Sequence, residues 1–325
     1  MAAERPVSCK LPQVELNALL EKLAGSTELD CCVIPLRDNR KLIQTTDFFY
    51  ANVDDPYTMG WITCLNVLSD LYAMGVVDCD NLLLLLGVPT EMSPEERNIV
   101  NELLMRGFQE CAAKAGTSVR GGQTVYNPWL LIGGVATSVL SDSEFIMPNQ
   151  AEAESVLVLT KPLGTQLAVN GYSWMQDSTS VWKEKLAPRI SVEDLKTLYE
   201  AACTDVTGFG LLDHARNLAG VQTAPVLFEI TCLPCLAGVR HLSMGLAERH
   251  HLDTGLTPET SGGLLVVLPS KSAEAYCQDL FEADGTPAWI VGRVLPASNP
   301  SEARTARLSP DLTFLEVPHA SMILK

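Results

Sequence analysis

The sequence predicts a two-domain protein of mixed α+β or α/β class, and three observations carry that prediction. Its 325 residues fit about two domains of roughly 150 residues each. Stretches with strand-like alternation and stretches with helical periodicity occur in both halves. A polar, turn-rich segment, "PNQAEAE" at 148–154, falls between them and sets the expected domains at 1–150 and 151–325. The hydrophobic fraction of 47% and charged fraction of 19% are those of a globular chain.

Residues 12–23 ("PQVELNALLEKL") read as a short amphipathic helix. "CCVIPL" and "KLIQTTDFF" read as neighbouring strands joined by the turn "RDNR". Asp55-Pro56 is a helix start, an acidic cap followed by proline, and predicts a helix from Pro56 to Met74 with Gly75 past its end. A strand "NLLLLLGVP" follows, then a helix from about Ser93 to Ala115 opened by "SPEE". "TSVRGGQTVYN" and "WLLIGGVATSVL" look like strands around glycine-rich turns. The second half opens with the strand "SVLVLTKPLGT" and alternates helices (193–202, 210–219, 271–283) with strands ("VLFEI", "GGLLVVLP", "AWIVGRVL"). The tail from Pro296 to Lys325 gives no clear pattern.

The net charge of −16 argues against nucleic acid or an anionic membrane surface as the main partner. The opening "MAAERPVSCK" lacks the apolar region of a secretory signal, and "LLLLLGV" is too short to span a bilayer. Ten scattered cysteines, several in apolar runs, suit reduced thiols in the cytoplasm. "CLPC" at 232–235 has no second pair at zinc spacing, and the five histidines show no metal spacing.

Four aspartates stand in apolar surroundings: Asp30 in "ELDCCVIPL", Asp47 in "LIQTTDFFY", Asp70 in "NVLSDLYAMG" and Asp205 in "ACTDVTGFGLL". An unpaired charge is costly there, so convergent carboxylates around magnesium ions bridging a polyphosphate are the expectation. Asn66 and Asp70, four apart, share a helix face. "RGGQT" at 120–124 offers unobstructed amides for phosphate oxygens, although Gly122 stands where a P-loop needs lysine. "GFGLLD" at 208–213 lacks the last glycine of a dinucleotide fingerprint. "TPETSGGLLVVLP" at 257–269 pairs polar residues and glycines with a strand. Lys10, beside Cys9, could bring a positive charge to a phosphate.

"QTTDFFYANVDDPYTMG", "NVLSDLYAMGVVDCDN", "GTSVRGGQTVYNPW", "VLTKPLGTQ", "TDVTGFGLLDHA" and "LTPETSGGLL" together resemble selenophosphate synthetase (selenide, water dikinase), most of all its animal forms. The resemblance covers most of the chain. It implies the two-domain aminoimidazole ribonucleotide synthetase-like fold, with an N-terminal sheet domain that dimerises and a C-terminal sheet-and-helix domain. It implies ATP at the domain and subunit junction, and synthesis of selenophosphate, AMP and phosphate from ATP, selenide and water with magnesium. Carried over by motif, Asp30, Asp70 and Asp205 are the magnesium ligands. Asp47, Asp70, Asp205 and the stretch Gly121, Gly122, Gln123, Thr124 contact the nucleotide. Lys10 is the catalytic lysine, with Cys9 beside it. The implied partner is a second copy, or a paralogue in a heterodimer.

Two departures from the family pattern stand out. Val7 occupies the position of the family's selenocysteine or cysteine, and valine is no nucleophile. The segment before Asp205, "LKTLYEAACTDVTGFG", is shorter than usual. Both features favour the alternative reading, a nucleotide-binding paralogue or isoform with impaired catalysis and a regulatory or partner-binding role.

Overall fold

The structure is a computed structural model and describes residues 30–193, 195, 210–246, 252–259 and 262–318. Within it the chain forms two compact units that part between Met147 and Pro148.

The first unit is one five-stranded sheet with two helices on one face. Its strands are β1 (Cys32–Pro35), β2 (Lys41–Tyr50), β3 (Asn81–Pro89), β4 (Val119–Asn127) and β5 (Leu131–Leu140), in the order β1-β2-β5-β3-β4. All pairings are antiparallel except β3 with β4. Helix α1 (Pro56–Ala73) starts as its local chemistry dictates: the Asp55 carboxylate accepts from the Thr58 N–H at 2.7 Å, with proline in the first turn. Helix α2 (Pro94–Lys114) starts with a complete capping box between Ser93 and Glu96.

Alternation along β2 sends Ile43, Thr45, Asp47 and Phe49 to the helix-covered face. There Ile43, Ile132, Ala136, Leu82 and Leu86 meet Val67, Leu68, Leu104 and Phe108 of the helices, all essentially buried. The opposite face carries Ile34, Phe48 and Val125, which remain 46%, 58% and 53% exposed. Phe48 lies over Gly133, its partner in register on β5.

The glycines of "RGGQT" form no turn. Gly121 and Gly122 lie inside β4, the edge strand, just after a register shift in which Arg120 is the extra residue. Gly122 has φ +145°, and a Cβ there would stand 1.8 Å from the Leu84 carbonyl oxygen. Close approach of the neighbouring strand, not chain reversal, requires glycine there.

The second unit holds the strands β6 (Ser155–Leu159), β7 (Val226–Leu236), β8 (Leu265–Pro269), β9 (Trp289–Pro296) and β10 (Thr305–Val317), in the order β10-β7-β9-β6-β8. β10 runs parallel to β7, and the other pairs are antiparallel. Its helices are α3 (Thr165–Gln176), α4 (Gly210–Gly220), α5 (Val239–Ser243) and α6 (Ser270–Asp284), with a π-helical turn at Trp182–Leu186. Its core gathers Leu157, Leu167, Ala215, Phe228, Ile230 and Val291. Across β10, β7 and β9, Arg307, Glu229 and Arg293 stand in one register row. The buried Glu229 carboxylate takes Arg293 at 2.6 Å on one oxygen and Arg307 at 2.8 Å on the other. Arg293 first, then Arg307, hold its pKa below the usual carboxylate range against the opposing effect of burial.

The stretches "CCVIPL", "KLIQTTDFF" and "NLLLLLGVP" form strands within a residue or two of their expected ends, "SVLVLTKPLGT" is a strand only over Ser155–Leu159, and the expected helices at 56–74, 93–115, 210–219 and 271–283 are present within a residue or two. Strand β10 occupies the tail that gave no pattern, and α3 was not anticipated. The expected helices at 12–23 and 193–202 lie, wholly or mostly, outside the described residues.

Candidate active site

The acidic cluster is built where α1 crosses the inner face of β2. Thr45, buried in that face, donates its hydroxyl to Asp70 Oδ2 at 2.6 Å. Asp47 follows Thr45 by two residues on the same face, opposite Gly134 in register, which contributes no side chain above it. Asn66 stands one turn before Asp70 on α1, 4% exposed, and its Oδ1 is buried without a hydrogen-bond partner. Asp30 is exposed at the entry to β1. Cys31, buried beside it, ties these groups together electrostatically: burial pushes its thiol up, and Asp70 and then Asp30 push it further. Asp30 and Asp70 therefore both act on the same buried thiol.

Apart from the thiol, the side-chain acceptors in this set are all oxygens, and that chemistry suits a hard cation such as magnesium. The orphaned Asn66 oxygen fits as well, since it would accept from water in such an ion's hydration shell. Among the described residues, no three His, Cys, Asp or Glu side chains are gathered closely enough to hold a metal. Magnesium needs fewer, because phosphate and water complete its shell. Asp205, Lys10 and Cys9 lie outside the described residues.

Gly121, Gly122, Gln123 and Thr124 are placed elsewhere. Asp47, Gly134, Leu84 and Gly122 form one straight row across the sheet. Asp47 and Gly122 are thus three strand spacings apart, about 14 Å. Between them Leu84 packs against the core, so within one chain the aspartates and the glycine strand do not share a pocket. Gly121 to Thr124 are all exposed along the free edge of β4.

In the second unit, "TPETSGG" has a definite task. Glu259, 3% exposed, accepts from the Gly164 N–H with both oxygens at 2.9 Å. Its Oε2 also accepts from the Thr165 N–H at 2.7 Å and the Thr165 hydroxyl at 2.6 Å. The carboxylate caps α3, whose preceding residue is the left-handed Gly164 (φ +103°). Burial pushes Glu259 up to about 7, against the pull of these donors. Sequence reasoning missed Thr45 and Glu259. Thr45 was visible as the neighbour of Asp47 on the same strand face, whereas the partnership of Glu259 with Gly164 spans 95 residues and has no local signal.

Residues 28–140 match the family of AIR synthase related proteins, N-terminal domain, and residues 152–302 match its C-terminal domain. The chain is 43% identical to a probable selenide, water dikinase of Caenorhabditis elegans, over 95% of this chain and 90% of that one. It is 45% identical to selenide, water dikinase 2 of Homo sapiens, over 89% of this chain and 68% of that one. Among solved structures, the thiamine monophosphate kinase of Aquifex aeolicus aligns with a TM-score of 0.62 at 18% identity, over 95% of this chain and 98% of that one. A hydrogenase maturation protein HypE in complex with ATP aligns with a TM-score of 0.58 at 15% identity, over 82% and 81%. These two structures share the fold. No helix among the described residues is long and apolar enough to cross a membrane. Two matched domains and identity above two fifths along nine tenths of the sequence lead to one conclusion: the chain belongs to the selenide, water dikinase family.

Proposed function

We propose that this chain makes selenophosphate from selenide, water and ATP, with release of AMP and phosphate, as a magnesium-dependent enzyme of the cytoplasm. The observation that carries the proposal is the oxygen-rich cluster of Thr45, Asp47, Asn66 and Asp70, in a chain whose relatives are named selenide, water dikinase. Magnesium bound by Asp30, Asp70 and Asp205 would neutralise phosphate charge that this acidic protein would otherwise repel. Thr45 fixes the direction of the Asp70 carboxylate by its hydrogen bond. Asp47 and Asp70 orient the nucleotide end, and Lys10 stabilises the transferred phosphoryl group, with Cys9 beside it. The domain roles follow: nucleotide, metal and dimer contacts in 1–150, and the synthetase-like domain in 151–325.

The protein acts in this reading as a homodimer. The uncovered sheet face with Ile34, Phe48 and Val125 is the surface that pairs. In this reading Gly121, Gly122, Gln123 and Thr124 offer their backbone amides to the nucleotide's phosphates.

The test supplies purified protein with ATP, magnesium and selenide without oxygen and follows selenophosphate by phosphorus NMR alongside AMP. Product from the wild type is expected. ATP bound but no product, from both the wild type and Val7→Cys, would refute the catalytic reading. Product from Val7→Cys alone would trace the defect to Val7 and support the impaired-paralogue reading.

A further inference from the structure

A pair of thiols lies between α1 and α2, apart from the acidic cluster. A Cβ on Gly60 would lie 2.0 Å from the Leu104 carbonyl oxygen, and one on Gly107 would lie 2.0 Å from that of Tyr57. The two helix backbones therefore touch at these glycines, running in the same direction. One turn further along each helix stand Cys64 and Cys111, 0% and 2% exposed in the same core cluster.

A buried cysteine is ordinarily an inert, small apolar side chain. These two differ because each acts on the other's titration from a separate helix. The pair is also polarised. Cys64, and then the Lys114 ammonium, lower the pKa of the Cys111 thiol, while Cys111 and burial raise that of Cys64. Lys114 is held nearby, its Nζ 5.6 Å from the centre of the Trp61 ring. Cys79, half-buried at the margin of the cluster, donates to the carbonyls of Asn81 and Thr137 instead.

We propose that Cys64 and Cys111 are a redox-active dithiol which hydroperoxides close into a disulfide bridging α1 and α2. The Cys111 sulfur attacks the peroxide oxygen, giving a sulfenic acid and, for hydrogen peroxide, one water. The Cys64 sulfur then attacks the sulfenic sulfur, the S–S bond forms, and hydroxide leaves to take up the Cys64 proton as a second water. Two thiols are oxidised by two electrons and one peroxide is reduced to two waters. A small oxidant reaches the pair through local opening of the helices, and a cellular thiol reverses the step by exchange. Cys64 lies six residues before Asp70 on α1, so the bridge fixes the helix that presents Asp70. This consequence, unlike the dithiol itself, rests on the nucleotide reading above.

The test treats the full chain, reduced and free of oxygen, with graded hydrogen peroxide. The protein is then denatured, its remaining thiols are alkylated, and it is digested without reductant. The expected result is a linked pair of peptides holding Cys64 and Cys111, lighter by two hydrogens and separated by dithiothreitol. Free Cys64 and Cys111 after the exposed Cys32 has oxidised, or Cys111 as sulfinic acid without a link, would overturn the dithiol. This mapping uses wild-type protein, so a misfolded variant cannot obscure it; in Cys111→Ala, Cys64 should remain alkylatable. A second arm measures affinity for magnesium and a non-hydrolysable ATP analogue before and after closure. Altered affinity is expected; equal affinity in linked and reduced protein would overturn the control of nucleotide binding and leave the disulfide standing. A failure of nucleotide to bind even the reduced protein would count against the proposed function instead.

Discussion

Gly60→Ala sets two effects of opposite sign against each other. Alanine in place of a mid-helix glycine stabilises a helix by about 1 kcal/mol. In α1 the added methyl would stand 2.0 Å from the Leu104 carbonyl oxygen, 2.8 Å from its carbon and 2.9 Å from the Phe108 nitrogen. All three are backbone atoms of α2, so no side chain can rotate aside and the helices must part by about 1 Å. A gap of that size forfeits a quarter to a half of the dispersion between the atoms it separates. Those atoms belong to Cys64, Val67, Leu68, Leu104 and Phe108, all buried. We expect a loss of about 3 kcal/mol from packing, and so a net destabilisation of about 2 kcal/mol. Gly171→Ala in α3 is the control. Its methyl would meet the side-chain ends of Leu195 at 3.1 Å and Leu186 at 3.6 Å, which can yield, so part of the helical gain survives. Urea unfolding followed by circular dichroism compares both variants with the wild type. Gly60→Ala at least as stable as the wild type would refute the claim that backbone contact holds α1 against α2.

Three further outcomes are expected. Thr45→Val keeps the shape of a buried side chain but removes the 2.6 Å bond to Asp70, so magnesium-dependent ATP binding should weaken about tenfold. Titration calorimetry tests this, with Thr45→Ser expected to restore binding; unchanged affinity would separate Asp70 from Thr45. Glu259 is pushed up to about 7 in the fold from an ordinary value of 4.5. Its protonated form is therefore favoured by folding, and that stability is complete below about pH 4.5 and lost as pH rises through about 7. Relative to Glu259→Gln, the wild type should lose stability across that window in denaturant titrations, and parallel profiles would contradict the assignment. Phe48→Asp, on the open sheet face, should convert dimer to monomer in sedimentation velocity without a fall in helix content; an intact dimer would move the pairing surface elsewhere.

Features governed by neighbours in sequence could be read before the fold was known. The Asp55-Pro56 start and the Ser93–Glu96 box are decided within four residues, and both helices begin where those residues say. Asp47 and Asp70 were legible as anomalies, because charge among apolar neighbours needs a reason. Their link through Thr45 was not, since it depends on where a helix crosses a strand 25 positions away. Gly121 and Gly122 misled because a glycine needed for close cross-strand approach looks the same in sequence as one needed for a turn. β10 went unread because its pairing with β7 shifts register between Leu308 and Thr313, which breaks the alternation where a pattern would have been sought.

The placement of β10 also bears on how the polypeptide is made. β7 is buried along nearly its whole length, Val226–Ile230 and Leu233–Leu236, yet one of its two flanking strands, β10, is the last of the described strands to leave the ribosome. Until β10 is made, the nascent second unit holds open a greasy edge with unpaired amides, a natural footing for a chaperone and, without one, for the wrong neighbour. Translation stalled between residues 236 and 305 would therefore yield aggregates, not a shorter folded protein.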